Sequence, residues 1–401
     1  WSRARARRCC TFSAIVFKTI ADPFVGKLSL FKVVSGKLTK DVEVYNSSTK
    51  NSEKLGGLFV LRGKEQIEVN EINAGDIGAT SKLQHTLTGD TLCDKNNIII
   101  FDRLSYPQPT LFLCVEPKAK GDEEKIGTSL QRLTEEDPTF TLERNSETKQ
   151  LLIGGQGNVQ LAVITEKLKN NYGVDVVLSN PKIAYRETIK GTASVQGKHK
   201  KQSGGAGQYG DVHIRFEPTS EEFEFAEEVF GGSVPRNYFP AVEKGVRDSL
   251  EHGVLAGYPV VNLKATLFDG SYHPVDSNEM AFKIAASLAF KKGMEEAKPI
   301  LLEPIVKVEV NIPEEYMGDI MGDMNKRRGR VLGMNPISGG KQEILADIPV
   351  SETFGYSTEL RSLTGGIGEY SYEFNRYEQA PLDVQERVIE ESAKRKGESQ
   401  E

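Results

Sequence analysis

The chain has 401 residues, more than one ordinary hydrophobic core accommodates, so two to four domains are expected. With 38% hydrophobic and 27% charged residues the composition is that of a soluble globular protein, and no apolar run approaches the roughly 20 residues a membrane-spanning helix needs. A formal net charge of -6 excludes a generally basic nucleic-acid coat and leaves room only for local basic patches. The cysteines Cys9, Cys10, Cys93 and Cys114 have neither metal-type spacing nor a dense framework, which favours a reduced, cytosolic setting. Trp1–Arg8 alternates arginine with small residues and is followed by no apolar region. It reads as a non-native or disordered segment, with a short organelle leader as the alternative.

Residues 9–105 carry short alternating runs, Phe12–Phe17, Lys27–Val33 and Asp41–Tyr45, punctuated by Asp22-Pro23, Ser35-Gly36 and Asn73-Ala74-Gly75-Asp76. Short strands with turn residues between them and no helical period predict a small β-barrel. Pro107 and Pro109 mark a linker. Over 106–182 the order is strand (Leu111–Val115), helix (Ile126, Leu130 and Leu133, with Asp122 as cap), strand, strand, helix (Val159, Val163 and Leu168) and strand (Val174–Leu178). This is the βαββαβ order of a ferredoxin-like sandwich.

The same order returns over 304–380. Its strands are Ile305–Ile312, Arg330–Met334, Glu343–Ile348 and Tyr370–Phe374. One helix carries Met317, Ile320, Met321 and Met324 on a core face, and a second starts at Ser351. Between the sandwiches, residues 183–303 read differently. A long hairpin from Tyr185 to Ile214 is interrupted by the glycine-rich stretch Ser203–Gly210. A helix follows from Pro235 to Glu251, then a strand over Val260–Phe268. A long helix carries Met280, Ile284, Leu288 and Met294, with Asp276 and Glu279 resembling a capping box at its start. Leu382–Glu391 predicts one more helix before a polar tail. The fold class expected is multidomain α+β: a barrel, then two ferredoxin-like sandwiches flanking an α+β domain with a projecting hairpin.

The common catalytic signatures are missing from the sequence. Gly26-Lys27-Leu28, Gly36-Lys37-Leu38 and Gly340-Lys341-Gln342 all lack the hydroxyl residue that a phosphate-cradling loop uses for magnesium. There is no His-Glu-x-x-His, no Cys-x-x-Cys and no Gly-x-Ser-x-Gly, and His85, His199, His213, His252 and His273 are scattered. No catalysis is expected of this chain alone.

Three segments point instead to RNA. Lys198-His199-Lys200-Lys201-Gln202 runs into the glycine-rich loop, where lysines attract phosphate and glycines allow close backbone approach. A solvated basic edge on a flexible hairpin is the other reading of that segment. Tyr272-His273-Pro274-Val275-Asp276 precedes a capped helix and is equally readable as an ordinary connection. Asn325-Lys326-Arg327-Arg328-Gly329-Arg330 closes a helix, where cations complement the C-terminus and Gly329 can end it, so capping and RNA contact are both open.

These residues also carry a family resemblance. Ile183–Ile189 with Lys201–Gly210 resembles the opening and first tip loop of the fourth domain of elongation factor G, and Gly270–Ser277 its second tip loop. Leu301-Leu302-Glu303-Pro304-Ile305 and Arg327–Met334 are similar to its fifth domain, and Pro23–Leu28 to its second, barrel domain. The matches run in order from about residue 11 to 380, so the domains implied are II-like (9–105), III-like (106–182), IV-like (183–303, with a C-terminal helix over 381–394 packing on it) and V-like (304–380).

The resemblance implies a cytoplasmic, monomeric translational GTPase that promotes tRNA–mRNA translocation. GTP and Mg2+ would then be held by an N-terminal domain absent from this chain, and no cofactor by the chain itself. Its partners would be the ribosome, through rRNA and ribosomal proteins, and tRNA and mRNA in the decoding region. The tip residues implied are Lys200, Lys201, Gln202, Ser203, Gly204, Gly205, Gln208, Tyr209, His273 and Asp276, and the ribosome-contacting basic residues Lys326, Arg327 and Arg328. The sequence departs from the family pattern at Gly154–Leu161, which stands where Gly-Met-Gly-Glu-Leu-His-Leu is usual, at Ala206 where arginine is common, and at Pro274 where an acid is common. It therefore looks more like a paralogue than the housekeeping factor. A recycling or protection factor of the same family, and a stand-alone RNA-binding module, are the alternatives.

Overall fold

A computed structural model describes residues 11–22, 26–63, 65–119, 121–201 and 207–398. They form two compact units: residues up to Lys182 together with Phe354–Ser371, and Ile183–Thr353 together with Tyr372 onward.

The first unit opens with ten strands, β1 (Ser13–Asp22), β2 (Gly26–Ser35), β3 (Lys37–Thr39), β4 (Glu43–Asn46), β5 (Asn51–Lys54), β6 (Leu58–Arg62), β7 (Glu65–Glu68), β8 (Glu71–Asn73), β9 (Ile77–Ser81) and β10 (Thr91–Cys93). Eight pair in the order β5-β4-β10-β1-β2-β9-β6-β7, and β3 pairs β8. Register shifts between β1 and β2 at Ser13/Ala14 and Val16/Lys18 bend the longest pair. One core gathers Val16, Phe31, Leu38, Val44, Leu58 and Leu92 from six of these strands. Asp41, expected inside a strand, takes a left-handed turn with φ 65°, so the strand begins at Glu43.

The first sandwich is β11 (Leu111–Pro117), α1 (Glu123–Glu136), β12 (Thr141–Arg144), β13 (Leu151–Gly155), α2 (Asn158–Tyr172) and β14 (Val176–Ser179), with sheet order β12-β13-β11-β14. Asp122 occupies the cap position of α1 but makes no side-chain cap hydrogen bond. The face of α2 differs from expectation. Leu161, Ile164 and Leu168 are buried against β11 and α1, whereas Val159 and Val163 face outward. Three apolar residues in this helix follow one period and two follow another, and only the sheet decides which set is inside. Gln160 fixes the helix start, accepting from the Gln156 amide (2.6 Å) and donating to Asp137 Oδ2 (2.6 Å) and Thr139 Oγ1 (2.8 Å).

The second unit begins with β15 (Arg186–Ile189), β16 (Ala193–Lys201), β17 (Gln208–Pro218), β18 (Phe223–Glu227), α3 (Phe239–Ser249), β19 (Leu263–Ser271) and α4 (Glu279–Glu296). The sheet order is β16-β17-β19-β18, with β18 parallel to β19. Strand β15, predicted as the opening of the hairpin, is not part of it. It pairs instead with the start of β20 (Pro299–Pro313), a single 15-residue strand whose later part pairs with β22 (Lys341–Pro349) of the last sandwich. Strand β20 thus starts six residues before the predicted Ile305.

The face that α4 buries is also not the predicted one. Ala281, Phe282, Ala285, Ala286, Ala289, Phe290 and Gly293 are inside with Met294, while Met280 and Leu288 are exposed. Close approach is the reason. A Cβ at Gly197 of β16 would lie 2.1 Å from Ala285 O, and one at Gly210 of β17 would lie 2.4 Å from Ala281 O. Glycines on the strands and alanines on the helix let the two backbones nearly touch, and larger side chains turn outward.

The last sandwich continues with α5 (Met317–Lys326), β21 (Arg330–Ile337), β22, α6 (Val350–Thr353), α7 (Tyr356–Leu363) and β23 (Glu369–Gln379). The helix predicted from Ser351 is broken at Gly355, whose φ of 74° separates α6 from α7. In the first unit α7 meets the start of α2, with Asn158 Nδ2 donating to Thr358 Oγ1 at 3.0 Å. In the second unit α8 (Leu382–Glu398) packs Val384 and Val388 against Tyr185, Ala256 and Leu301. Ser392 Oγ donates to Ala256 O at 2.6 Å, and Gln385 Oε1 accepts the Leu301 amide at 3.0 Å. Glu187 is wholly buried beneath this patch and accepts the amides of Leu255, Ala256, Gly257 and Tyr258 at 2.9–3.1 Å, an anion held by a backbone nest.

Candidate nucleic-acid interface

Strands β16 and β17 pair from Ala193↔Phe216 out to Lys201↔Gln208, and β19 follows β17 only as far as Asp211↔Ser271. The last rungs of the hairpin therefore run past the sheet. Along β16 the outward residues are Ser194, Gln196, Lys198 and Lys200, and Lys201 is exposed at the end. This alternation sets lysines on one face with the period of two that a strand imposes.

The loop after β19 is fastened to this hairpin end. Tyr209 donates its amide to Asp276 O (2.9 Å), and Ser277 Oγ donates to Tyr209 O (2.9 Å). Gly207 sits so close that a Cβ there would be 2.2 Å from Asp276 Oδ1. Below them Asp211, almost fully buried, is a hub. Gln196 Nε2 donates to its Oδ1 (2.7 Å), Ser271 Oγ donates to its Oδ2 (2.6 Å), and the Tyr209 hydroxyl meets Ser271 Oγ at 2.8 Å. Lys198 Nζ lies 3.9 Å from Asp211 Oδ2 and 5.5 Å from the Tyr209 ring centroid. The Tyr238 hydroxyl donates to Ser277 O (3.1 Å) while its ring stacks on Phe282.

His273 Nδ1 accepts the amides of Asp276 (3.1 Å) and Val275 (3.3 Å). The same Nδ1 lies 3.3 Å from Asp276 Oδ2, so ring, carboxylate and turn amides close on one another. Ser277 Oγ accepts the His273 amide and the Ser277 amide returns to His273 O, closing the turn. The helix that follows is capped by Asn278, whose Oδ1 accepts the Ala281 amide at 2.9 Å. Asp276 is therefore not the cap. Its backbone carbonyl ties the loop to Tyr209 instead.

Of the predicted tip residues, Lys200, Lys201, Gln208, Tyr209, His273 and Asp276 converge at this end of the second unit. Gln202, Ser203, Gly204 and Gly205, with Ala206, lie outside the described residues. Lys198, Ser271 and Ser277 lie within the segments that the sequence singled out, though not among the tip residues implied. Asp211 was missed, since its hub joins strands 60 residues apart and leaves no local signal.

The second basic run is used differently. Lys326 is exposed, but Arg327 is buried, with Nε on Asp323 Oδ2 (2.8 Å) and Nη1 on Glu352 O (2.7 Å). Arg328 grips Glu303 with two nitrogens at 2.7 and 3.0 Å and reaches Glu352 and Ser351. The Glu303 hydrogen bonds hold the Arg328 guanidinium above its already high range against the cost of burial. Arg327 is thus a buried internal tie, whereas Arg328 makes its ion pairs while remaining exposed at the surface. Arg328 itself takes the left-handed position at φ 56°, and Gly329 is needed because a Cβ would lie 2.8 Å from Met324 O. Among the described residues no acid, histidine or cysteine cluster could hold a metal, and no helix is long and apolar enough to cross a membrane.

Comparison with known proteins matches four successive family models along the chain. These are elongation factor G domain 2 over residues 11–95, domain III over 106–180, domain IV over 181–298 and the elongation factor G C-terminus over 300–388. A protein from Thermus thermophilus, known by crystal structure, is 41% identical and superposes with a TM-score of 0.82 over 96% of this chain. The chain spans 58% of that protein's length. Four domain models in unbroken order place the chain in the elongation factor G family, of which it carries domains II to V.

Proposed function

We propose that this chain is the ribosome-engaging portion of an elongation factor G-type translation factor. Joined to a GTPase domain that binds GTP and Mg2+, it promotes movement of tRNA and mRNA. Its own action is binding and displacement, with no bond broken. The carrying observation is the tie between the hairpin end and the histidine turn. Tyr209 and Asp276 are joined through their main chains while Lys198, Lys200 and Lys201 face solvent beside them. Rigidly joined loops present one surface, and a surface that pushes RNA must not yield where it touches. Lysines supply phosphate attraction, and the half-exposed His273 ring offers a polar edge toward RNA.

Departures at Gly154–Leu161, Ala206 and Pro274 support a paralogue rather than the housekeeping member. In the first of these segments Gln156 donates to the linker carbonyls of Pro107 and Gln108 at 3.1 and 2.7 Å.

The test is single-round translocation by the full-length protein with GTP, beside ribosome co-sedimentation. His273→Ala is expected to slow translocation about ten-fold, the effect of losing one well-placed hydrogen bond, and to leave ribosome binding nearly unchanged. Equal loss of both would assign His273 to folding and remove it from the interface.

A further inference from the structure

A third loop reaches the same end of the second unit. Strand β18 runs parallel to β19 with Glu227 opposite Leu267, and the Glu228 amide still bonds Leu267 O. The chain then continues level with Asp269–Ser271, the residues that lead into the histidine turn. There Phe230 is 94% exposed, the most exposed large hydrophobic residue among those described.

This exposure is built into the loop. Val229 packs on the core before it, and Val234 is buried after it, against Gly270, where a Cβ would lie 2.5 Å from Val234 Cγ2. Gly231 and Gly232 both take positive φ, 69° and 72°, which turns the chain sharply between the two anchors and leaves Phe230 at the apex. An aromatic ring held wholly in water gains nothing for folding.

Charge selects the partner. Glu227, Glu228 and Asp269 flank the loop. Arg215 pairs with Glu228 at 3.0 Å, and the Gly270 amide holds the Asp269 carboxyl below its usual range. The loop therefore repels phosphate, while Lys198, Lys200 and Lys201 attract it three strands away across the order β16-β17-β19-β18. At about 4.8 Å per strand the sideways offset alone is roughly 14 Å, and Lys200 lies five residues past Val195, the residue level with Glu227, so the path is one for a run of several unpaired nucleotides.

We propose that Phe230 is a stacking platform for an unpaired RNA base whose neighbouring phosphates lie on the hairpin lysines. The inference rests on the proposed RNA-facing role of this end of the unit and adds an aromatic contact to it. Stacking uses the ring face, tolerates any base and does not change the number of counterions released.

The test uses the full chain and a single-stranded oligoribonucleotide carrying 2-aminopurine, whose fluorescence falls on stacking. The wild type is expected to quench it. Phe230→Ala should lose the quench and weaken binding about ten-fold with the salt slope unchanged, Phe230→Trp should retain both, and Phe230→Leu should behave as alanine. Unchanged affinity and quench in Phe230→Ala, or no quench by the wild type, overturns the proposal. A leucine as good as phenylalanine overturns it in favour of an apolar protein contact. Lys200→Ala/Lys201→Ala separates this from the broader reading. If the lysines prove silent while Phe230→Ala weakens binding, the phosphate path over the hairpin is overturned together with the broader reading, and only the base contact at Phe230 is retained. If the lysines matter and Phe230 does not, only the stacking contact fails.

Discussion

The second unit holds two basic runs of similar composition and opposite use. Lys198-His199-Lys200-Lys201 lies on a hairpin that outruns its sheet, so its lysines meet water. Lys326-Arg327-Arg328 closes α5 beside two buried carboxylates, Asp323 and Glu303; Arg327 is buried against the first and Arg328 pairs with the second from the surface. The guanidinium forks bind carboxylates with two nitrogens and suit a partly buried tie, whereas a lysine ammonium is strongly hydrated and stays at the surface. Side-chain type and the closeness of the ion pair separate the two runs: Arg327 and Arg328 hydrogen-bond their buried acids at 2.7–3.0 Å, whereas Lys198 stays 3.9 Å from Asp211.

The contrast can be broken from its structural side first. Glu303→Ala leaves Arg328 without its principal partner in a site only 30% open to solvent. It should cost about 3 kcal/mol, seen as a lower denaturant midpoint, with RNA affinity per folded molecule unchanged. A neutral result would leave Arg328 among the candidate contacts. On the hairpin side, Lys200→Ala/Lys201→Ala should leave stability within about 0.5 kcal/mol while flattening the plot of log affinity against log salt by roughly 1.5. A slope equal to that of the wild type would show that these lysines touch no phosphate.

The smallest expected effect is a pH dependence near Glu303. Burial, helped by the Glu303 charge, pushes the Tyr185 phenol up to about 12. A phenol that ionises later when folded than when unfolded favours the native state below pH about 10, the unfolded value, and that contribution is lost as pH rises toward 12. Tyr185→Phe should therefore be less sensitive than the wild type to alkaline unfolding in this window. Equal alkaline curves would mean that the phenol meets water.

Much of the fold was legible because it depends on local pattern. Alternation announced the strands of the barrel and the β16/β17 pair, and the order of periods announced both sandwiches. The hairpin lysines and His273 were readable as candidates, since glycines, a basic run and a strand-to-helix connection are local features. What could not be read were choices between equivalent local options. In α2 the valines and the leucines offered two faces, and the sheet chose Leu161 and Ile164. Asp276 and Asn278 were both plausible caps, and the tie of Asp276 to Tyr209 left the cap to Asn278.

The types of most elements and their order were written along the chain, because they follow from side-chain period and turn residues; the close approach of Gly197 and Gly210 to α4 shows only once the helix is in place. Folding in three dimensions settled which face of α4 is inside, which cations are neutralised and that Phe230 stands in water after β18. Each of these depends on a partner supplied by a distant part of the chain: a strand backbone, the Glu303 carboxylate, or the parallel pairing of β18 with β19.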